Sequence, residues 1–472
     1  MPLVPMRAES ESAPTILLVN PISRRGHLDA YARLYARAFL ELGCRVLLMA
    51  RGDAGAAAYI ARCGGDLAGR FRYVALGGAA PDGSDPSDRS GLSALRRARL
   101  VWQEEGPGGV LERLLTIGAG RLSRLRPART AGRDGAGGAG WAARLHRRLF
   151  PDARRVGFVP WVRRIAALEA AQGVRADLVF FLYLDLMGQG RRNRKALSRR
   201  LHSPWSGILF HPREADAVER EGVEGYFRTR SASGALFLVP RLVEAYERAL
   251  PGLCIVSGPD VADTELPDTR FGLAEALRRR AGDRVVVSQL GVLRPHKGVM
   301  DLLAVIERAD PARYFFALVG QVEWEGFGSD EPRLRRFWDA PPANVLTHAG
   351  YVDDERDYNS LIEATDVIYA VYRDFNDSSN SLTKAAAFRR PVLVSEGTLM
   401  AQRVLAVNIG ATAPSAQPEA ILAALEALSQ RPRESFGFDA YAAEHSLEAL
   451  KDTLAAALPR WCGAAVGAEA WQ

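Results

Sequence analysis

The hydrophobic pattern of the chain opens with a strand–helix–strand unit. Residues 15–20 (TILLVN) form a continuous apolar run, which predicts a strand buried on both faces of a parallel sheet. Apolar residues then recur at helical spacing over 31–42, Gly43 ends that helix, and residues 45–49 predict a second strand. Because open α/β sheets bind ligands beyond the carboxyl ends of their strands, this unit predicts a ligand-binding edge.

The same alternation continues along the chain. In the first half, further buried strands are predicted at 177–184, 207–210 and 234–239. A second alternation begins at Arg284, with strands predicted at 285–288, 314–319, 344–348, 366–372 and 391–395. Helices are predicted at 299–309, 333–338, 358–364, from 382 onward, 418–429 and 441–458.

The two alternations predict an α/β protein with two doubly wound, Rossmann-like domains that face each other across a cleft. We expect the first domain over 14–270 and the second over 284–435, with a C-terminal helix in 436–460 packing back on the first. Residues 121–164 interrupt the first domain. They hold twelve arginines and two acidic residues around a glycine-rich middle, which predicts a flexible insert.

Composition narrows the class of protein. A hydrophobic content of 48% and a charged content of 25% are typical of a soluble globular protein. No apolar run approaches the ~20 residues that span a bilayer, and the start of the chain has no signal-peptide pattern, so we expect a cytoplasmic protein. The four cysteines are far apart and lack metal-ligand spacing, so we expect reduced thiols and no metal site.

The basic residues are almost all arginine. Of 62 lysines and arginines only four are lysines, namely Lys195, Lys297, Lys384 and Lys451. A lysine that persists in such a chain is a candidate for a role that needs its compact ammonium. Two of the four fall in the motifs described next.

The first motif is residues 291–298 (GVLRPHKG), between a predicted strand and a predicted helix. Glycines such as Gly291 let backbone amides approach an anion, and the helix start adds partial positive charge. Arg294 and Lys297 add full charges. The motif predicts a phosphate site, although an ordinary polar loop has the same composition.

The second motif is the polar run 374–381 (DFNDSSNS), which ends a strand and starts a helix. Capping alone explains one or two such residues, and a longer run provides hydroxyl and amide groups for a diphosphate or a sugar. We therefore predict that Ser378, Ser379, Asn380 and Ser381 bind a donor. Lys384 lies on the first turn of the same helix and is expected to point at the same ligand.

The order of segments from 288 to 410 resembles the donor domain of the retaining glycosyltransferases called group 1, or family four. Matching segments are Lys297-Gly298, Leu318-Val319-Gly320, Gly350-Tyr351-Val352, Ala364-Thr365-Asp366-Val367 and Pro391-Val392. The resemblance implies the GT-B architecture, a nucleotide-sugar donor, retention of anomeric configuration, and no metal or other cofactor. It also implies that Gly320 and Tyr351 contact the donor.

The chain departs from the family at its paired glutamates. These fall on Asn376, near the family's reacting centre, and on Lys384, where the family binds the nucleotide ribose. A lysine does not accept a hydroxyl's hydrogen bond, but it binds a phosphate or a carboxylated sugar. Val292, Gln402 and Gly397-Thr398 also replace family residues.

Candidate acceptor-side residues follow the strands of the first domain. Asp185 ends an apolar strand and is a candidate for orienting the acceptor or taking up its proton. His27 and His211 are further candidates, as are His202 and Arg213, and an ordinary surface or core role is the alternative for each histidine.

The insert 121–164 allows three interpretations. It is a solvated loop, or it attaches the protein to an anionic membrane at the inner face through an amphipathic helix near 141–150. Nucleic-acid binding ranks last and is not expected, because no aromatic platform or known nucleic-acid motif accompanies the arginines.

The sequence thus favours a hexosyltransferase-like glycosyltransferase with an unidentified acceptor. The first alternative is a non-catalytic GT-B scaffold that binds a sugar nucleotide or a partner protein, which the loss of both glutamates favours. The second alternative is a sugar-nucleotide isomerase on the same fold. It is less favoured, because the donor half of this sequence has no dedicated acid–base carboxylate cluster.

Overall fold

We describe the protein from a computed structural model, which covers residues 13–21, 27–50, 55–75, 156–172 and 175–463. The chain divides into two compact units. Unit 1 takes its residues from Met1–Ser23, Phe39–Ser257 and Leu454–Gln472, and unit 2 takes its residues from Arg24–Ala38 and Gly258–Thr453. Element labels below number the described strands and helices in chain order.

Unit 1 contains a parallel sheet of seven described strands in the order β3-β2-β1-β4-β5-β6-β7. The strands are β1 Thr15–Asn20, β2 Arg45–Ala50, β3 Phe71–Ala75, β4 Leu178–Phe181, β5 Trp205–Leu209, β6 Gly234–Phe237 and β7 Cys254–Ser257. Every residue of β1 is buried, as expected for a strand covered on both faces. The order reverses between β1 and β4, so the edge beyond these two strands is the switch point of this sheet.

The helices of the first half are α1 His27–Glu41, α2 Ala56–Cys63, α3 Gly65–Arg70, α4 Phe158–Gln172, α5 Arg191–Arg200, α6 Ala215–Glu221 and α7 Val243–Ala249. Aromatic side chains fill the core of unit 1. The Phe158 and Phe181 rings pack edge to face at 5.2 Å, and Trp461 donates a 2.8 Å hydrogen bond from Nε1 to the Cys254 carbonyl. This bond ties the last helix that the structure describes to β7.

Unit 2 contains a parallel sheet of six described strands in the order β10-β9-β8-β11-β12-β13. The strands are β8 Val285–Leu290, β9 Tyr314–Val319, β10 Val345–His348, β11 Val367–Ala370, β12 Val392–Ser395 and β13 Gly410–Ala413. The order reverses between β8 and β11, which makes the edge beyond them the expected ligand position in this unit.

The helices of the second half are α8 Gly272–Ala281, α9 Val299–Ile306, α10 Glu331–Asp339, α11 Glu355–Glu363, α12 Asn380–Ala387, α13 Leu399–Ala406, α14 Pro418–Ser429, α15 Phe438–Glu444 and α16 Leu447–Cys462. Local sequence explains several of their starts. Asp354 accepts from the Arg356 amide at the start of α11, and Thr398 accepts from the Ala401 amide at the start of α13. Pro418 is the first residue of α14. A backbone N–H at this position would have no acceptor within the helix, so the absence of an N–H in proline costs no hydrogen bond.

These sheets confirm the predicted α/β class with two parallel, helix-connected units. The strand Tyr314–Val319 and the helix Pro418–Ser429 have their predicted bounds. Three strands escaped prediction, β3, β7 and β13, because each is short or has no continuous apolar run; β13, for example, reads GATA. The helix predicted over 441–458 is in fact two helices, α15 and α16, with a break at His445–Ser446.

The predicted strand 177–184 is also shorter than expected. It ends at Phe181, and Leu184–Leu186 form a 3₁₀ turn instead. Residues 121–155, which are most of the predicted insert and include its amphipathic segment, lie outside the described residues. The last part of the predicted insert contains the start of α4, at Phe158. Among the helices that the structure describes, none has the length and apolar character needed to cross a membrane.

Candidate functional site

A pocket opens at the carboxyl ends of β8 and β9 in unit 2. It contains about 520 Å³ of empty space, part of which is open to solvent. Its lining residues come from strand ends and helix starts, namely Gly291, Val292, Val319, Gly320, Tyr351, Val352, Glu355, Tyr358, Asn380 and Lys384. This is the edge at which doubly wound sheets bind ligands.

The floor of this pocket depends on two glycines. Gly291 donates its amide to the Val319 carbonyl at 2.9 Å and has a φ of 100°. A Cβ at Gly320, whose φ is 147°, would lie 1.7 Å from the Gly291 carbonyl oxygen. Only glycine allows this close approach, which leaves bare backbone facing the pocket.

Lys297 lies at the end of a 3₁₀ turn that leads into α9. Its Nζ donates to the Tyr372 hydroxyl at 3.1 Å and lies 4.2 Å from the centre of the Tyr372 ring. The following residue, Gly298, has a φ of 69°, and a Cβ there would lie 2.1 Å from the Val371 carbonyl oxygen. The start of α9 is therefore packed against the residues that follow β11.

Tyr372 joins Lys297 to the predicted polar run. Burial alone raises the pKa of its phenol, but the charge of Lys297 and hydrogen bonds with Lys297, Ser381 and Ser379 lower that pKa below its usual value. Lys297 and the start of α12 thus meet at one buried phenol. The electrostatic environment of this hydroxyl favours negative charge.

Arg294 has a different partner from the one the sequence suggested. Its guanidinium pairs with Glu323 at 2.5 Å, and 40% of its side chain is exposed. Within the described residues, its buried Nε makes no hydrogen bond. Burial, followed by the charges of Lys297 and Arg294, lowers the pKa of His296, whose ring stacks on Phe375. The loop before α9 is therefore positively charged overall.

Lys384 reaches the pocket, but its ammonium is already paired. Its side chain is 3% exposed and forms an ion pair with Glu355, which is 8% exposed. Nζ also donates to Asn359 Oδ1 at 2.7 Å and lies 4.9 Å from the centre of the Tyr358 ring. Sequence reasoning missed Glu355, because an acidic residue in the first turn of a helix is ordinary and gives no distinct signal.

Ser378 holds the polar run to other parts of unit 2. Its hydroxyl donates to Asp260 and accepts from Arg403, and Asp260 also accepts from the Tyr31 hydroxyl at 2.5 Å. Burial raises the pKa of Asp260, against the lowering effect of the hydrogen bonds from Ser378 and Tyr31. Ser378 therefore lies at a structural junction.

The remaining predicted donor residues divide between the loop and the pocket. Asn376 accepts a 2.9 Å hydrogen bond from the Leu399 amide and so fixes the loop to the start of α13. Ser379 occupies the position before α12, and Asn380 and Tyr351 line the pocket. Burial, with a smaller contribution from the Glu355 charge, raises the pKa of Tyr351.

In unit 1, Asp185 follows β4 at the switch point of the sheet. Its two carboxylate oxygens accept from the amides of Phe210 and His211, at 2.9 and 2.7 Å. Burial raises the pKa of Asp185, although these hydrogen bonds lower it. The His211 side chain is exposed, and His27 begins α1, with its side chain outside the described residues.

A second buried carboxylate, Glu224, belongs to the same unit and was missed by sequence reasoning. Its Oε2 accepts from the Tyr246 hydroxyl at 2.8 Å, and Arg213 Nε lies 3.5 Å from its Oε1. Burial raises the pKa of Glu224, and the Asp185 charge adds to that rise. Glu224 lies outside the strands and helices predicted from the sequence, so no hydrophobic pattern indicated it.

Within the part of the chain that the structure describes, no three His, Cys, Asp or Glu side chains lie close enough together to hold a metal ion. The residues with anion-binding chemistry are those around Lys297. The pocket itself is lined by backbone, apolar groups, the Lys384–Glu355 ion pair and the polar side chains of Tyr351, Tyr358 and Asn380. This arrangement suits an organic ligand that carries a phosphate.

The sequence matches no known family model and no protein of curated function. Solved structures share its fold. HepE from Anabaena, in complex with UDP-glucose, is 13% identical and covers 94% of this chain and 99% of its own, with a TM-score of 0.56. Sucrose-phosphate synthase from Thermosynechococcus elongatus is 14% identical and covers 93% of this chain and 97% of its own, also at 0.56.

A UDP-forming α,α-trehalose-phosphate synthase from Burkholderia xenovorans is 12% identical and covers 94% of this chain and 98% of its own, with a TM-score of 0.53. At these identities the likeness concerns the fold alone. The chain therefore has the GT-B fold, in agreement with the predicted fold class.

Proposed function

We propose that this protein is a glycosyltransferase that takes its sugar from a nucleotide-sugar donor. The proposal is based on one observation. In a GT-B fold, the switch-point edge of unit 2 combines Lys297, the starts of two helices and a pocket. The presence of UDP-glucose in HepE makes UDP sugars the first candidates.

In this proposal the donor diphosphate lies beside Lys297 and the starts of α9 and α12. Negative charge accumulates on the diphosphate as its bond to the sugar breaks, and preformed positive groups stabilise that charge. Tyr372 holds Lys297 in place by hydrogen bonding, and Ser379 and Ser381 can turn from the phenol to the phosphate. The nucleoside or sugar occupies the pocket beside Tyr358.

We further propose that the acceptor hydroxyl binds in unit 1 near Asp185. A new bond forms between the acceptor oxygen and the anomeric carbon, while the bond from that carbon to the diphosphate breaks. The acceptor's proton goes to Asp185 or to the departing phosphate. A raised pKa makes the Asp185 carboxylate a better proton acceptor than an ordinary aspartate. Retention of anomeric configuration and independence from metal are part of this proposal, and only the resemblance seen in the sequence supports them.

A thermal-shift screen against UDP, GDP, ADP and dTDP sugars tests the proposal, because a ligand that binds the folded state raises the melting temperature. We expect one base to stabilise the protein, both as the sugar nucleotide and as the free diphosphate. The bound donor is then incubated with candidate acceptors, and NMR of the product gives the anomeric configuration. Absence of any shift would refute the proposal.

A second candidate function is a non-catalytic binder of a sugar nucleotide. It is favoured by the fact that Asn376 and Asp185 both bond to backbone amides. Slow hydrolysis of the bound donor separates the two functions, since transferases commonly pass sugar to water. Tight binding of UDP-glucose with no release of UDP over hours would support the non-catalytic role.

The membrane contact of the arginine-rich insert stays a prediction from sequence. If it is correct, deletion of residues 132–148 abolishes salt-sensitive sedimentation with vesicles of anionic lipid. Binding of the sugar nucleotide is expected to be unchanged. Equal sedimentation of the deletion variant and the full chain would remove the hypothesis.

A further inference from the structure

One carboxylate in the pocket has an unused hydrogen-bonding oxygen. Glu355 lies on the first turn of α11 and is 92% buried, since 8% of its side chain is exposed. Its Oε2 accepts from Lys384. Within the described residues, Oε1 accepts no hydrogen bond, although a carboxylate oxygen has two acceptor sites.

Lys384 has no capacity left for a ligand. Its ammonium has three N–H groups, and Glu355, Asn359 and the Tyr358 ring surround it. Asn359 is itself fixed, because its Nδ2 donates to the Glu265 carbonyl at 2.8 Å. A phosphate at this position would have to displace Glu355 and leave that carboxylate buried without a partner, which is costly.

The free acceptor selects a particular ligand chemistry. A carboxylate only accepts hydrogen bonds, so its ligand must be a donor. The ion pair is neutral overall, which favours an uncharged donor over an ammonium group. The neighbouring walls are Val292, Val352 and the Tyr358 ring, next to the bare backbone of Gly320. Such walls suit the face of a sugar ring that presents hydroxyls to Glu355.

We propose that Glu355 binds a vicinal diol of the nucleotide-sugar donor, and that Lys384 is a positioning residue that holds Glu355 in place. The inference rests on the proposed function. Two groups of such a donor carry a vicinal diol, namely the nucleoside ribose and the transferred sugar. Both share this chemistry, and the experiment below separates them.

The test removes both charges together. Replacing a buried ion pair with apolar side chains of similar size often leaves stability unchanged, whereas removal of one partner alone is destabilising. The variant is therefore Glu355→Leu with Lys384→Met. The matched control is Glu363→Leu with Arg278→Met, which removes an ion pair at the other end of the same helix, outside the pocket.

Calorimetric titration measures binding of UDP, GDP and ADP, their 2′,3′-dideoxy forms, UDP-glucose, ADP-glucose and GDP-mannose. For probes with the diol, we expect the pocket variant to bind roughly ten- to a hundredfold more weakly than the wild type, as for loss of hydrogen bonds to a charged group. The dideoxy diphosphates are expected to bind wild type and variant equally. The control variant is expected to behave as the wild type.

A loss with free diphosphates as well as sugar nucleotides assigns the diol to the ribose. A loss confined to sugar nucleotides assigns it to the transferred sugar. If the double variant does not fold, the test uses Glu355→Gln instead. We expect this variant to prefer diol probes over dideoxy probes less than the wild type does, with a smaller change than in the double variant.

Equal binding of all probes by wild type and variant would overturn the inference and leave the proposed function intact. Equal weakening of diol and dideoxy probes would also overturn it, because the pair would then be merely structural. If the wild type binds none of the probes, the proposed function fails and takes this inference with it.

Discussion

The switch-point edge of unit 2 carries the partly buried cation Lys297, whereas that of unit 1 carries the partly buried acid Asp185. In unit 2, the charge of Lys297 overcomes burial and lowers the pKa of Tyr372. In unit 1, burial raises the pKa of Asp185 and of Glu224, and the Asp185 charge raises that of Glu224 further. One edge therefore favours negative charge, and the other favours protonation of its acids.

The contrast teaches that a shared topology does not fix the chemistry at its edge. Both sheets are parallel and both reverse their strand order in the middle. The side chains after each strand decide whether the edge suits a diphosphate or a neutral hydroxyl compound. In our proposal the first belongs to the donor and the second to the acceptor. The predictions below test this division.

Lys297→Ala is expected to have the largest effect. Loss of a charge-assisted contact to phosphate costs on the order of 1.5–3 kcal/mol, so UDP and UDP-glucose should both bind roughly ten- to a hundredfold more weakly. Titration calorimetry measures this change. Lys451→Ala is the control, because Lys451 pairs with Glu448 on α16. Unchanged binding of UDP by the Lys297 variant would place the phosphate elsewhere.

Asp185→Asn is expected to destabilise unit 1 rather than to affect donor binding. The new NH₂ group faces one of the two amides, and a buried unsatisfied group costs about 1–3 kcal/mol. Urea unfolding measures the loss, with the exposed Asp283→Asn as control. A drop in transfer to acceptor at constant donor affinity would support the catalytic role proposed for Asp185. A weakened affinity for UDP would contradict the division between the two edges.

Glu224→Gln is expected to change how stability depends on pH. Because burial raises the pKa of Glu224 in the folded state, the folded protein binds more protons than the unfolded chain between the unfolded and folded pKa values. The free energy of unfolding therefore falls as pH rises through this window, and is constant above it. Glutamine does not titrate, so the free energy of unfolding of the variant should fall less over the same pH window.

Denaturant melts at several pH values, from about 4 upward, measure both profiles. The exposed Glu219→Gln on α6 should reproduce the wild-type profile. A wild-type stability that rises through the same window, with the rise absent in Glu224→Gln, would show that the pKa of Glu224 is lowered instead.

Tyr372→Phe is expected to have the smallest effect on affinity. The phenol positions Lys297 and is not a direct ligand, so UDP binding should weaken by the ~0.5–1.5 kcal/mol of an ordinary hydrogen bond. Ultraviolet titration of tyrosinate offers a sharper test. In the wild type we expect one tyrosine with a pKa below the usual range. This titration should be absent in Tyr372→Phe, and its pKa should be higher in Lys297→Ala. Identical titrations of wild type and Tyr372→Phe would refute this electrostatic picture.

The predicted elements differ from the structure in ways that have local causes. Tyr314–Val319 is uniformly apolar and was predicted with its correct bounds. Residues 178–184 are also apolar, yet the strand stops at Phe181. The chain then turns, and Asp185 accepts hydrogen bonds from the amides after β5. A run of apolar residues predicts burial, whereas the end of a strand depends on such contacts.

The sequence by itself determined the alternation of strands and helices and hence the α/β class. It also marked Lys297, through the rarity of lysine and its place between strand and helix. These features are local, since periodicity, glycine and helix starts depend on neighbouring residues in the chain.

Only the tertiary structure decided which charges are available. Lys384 pairs with Glu355, 29 residues away on another helix, and Asp260 binds Tyr31, 229 residues away. Such partners depend on how elements pack, and the hydrophobic pattern, which specifies buried faces, leaves the pairing of polar groups within them undetermined. For this reason the polar run after β11 was predicted from sequence, while the partners that hold Ser378 and Lys384 were not.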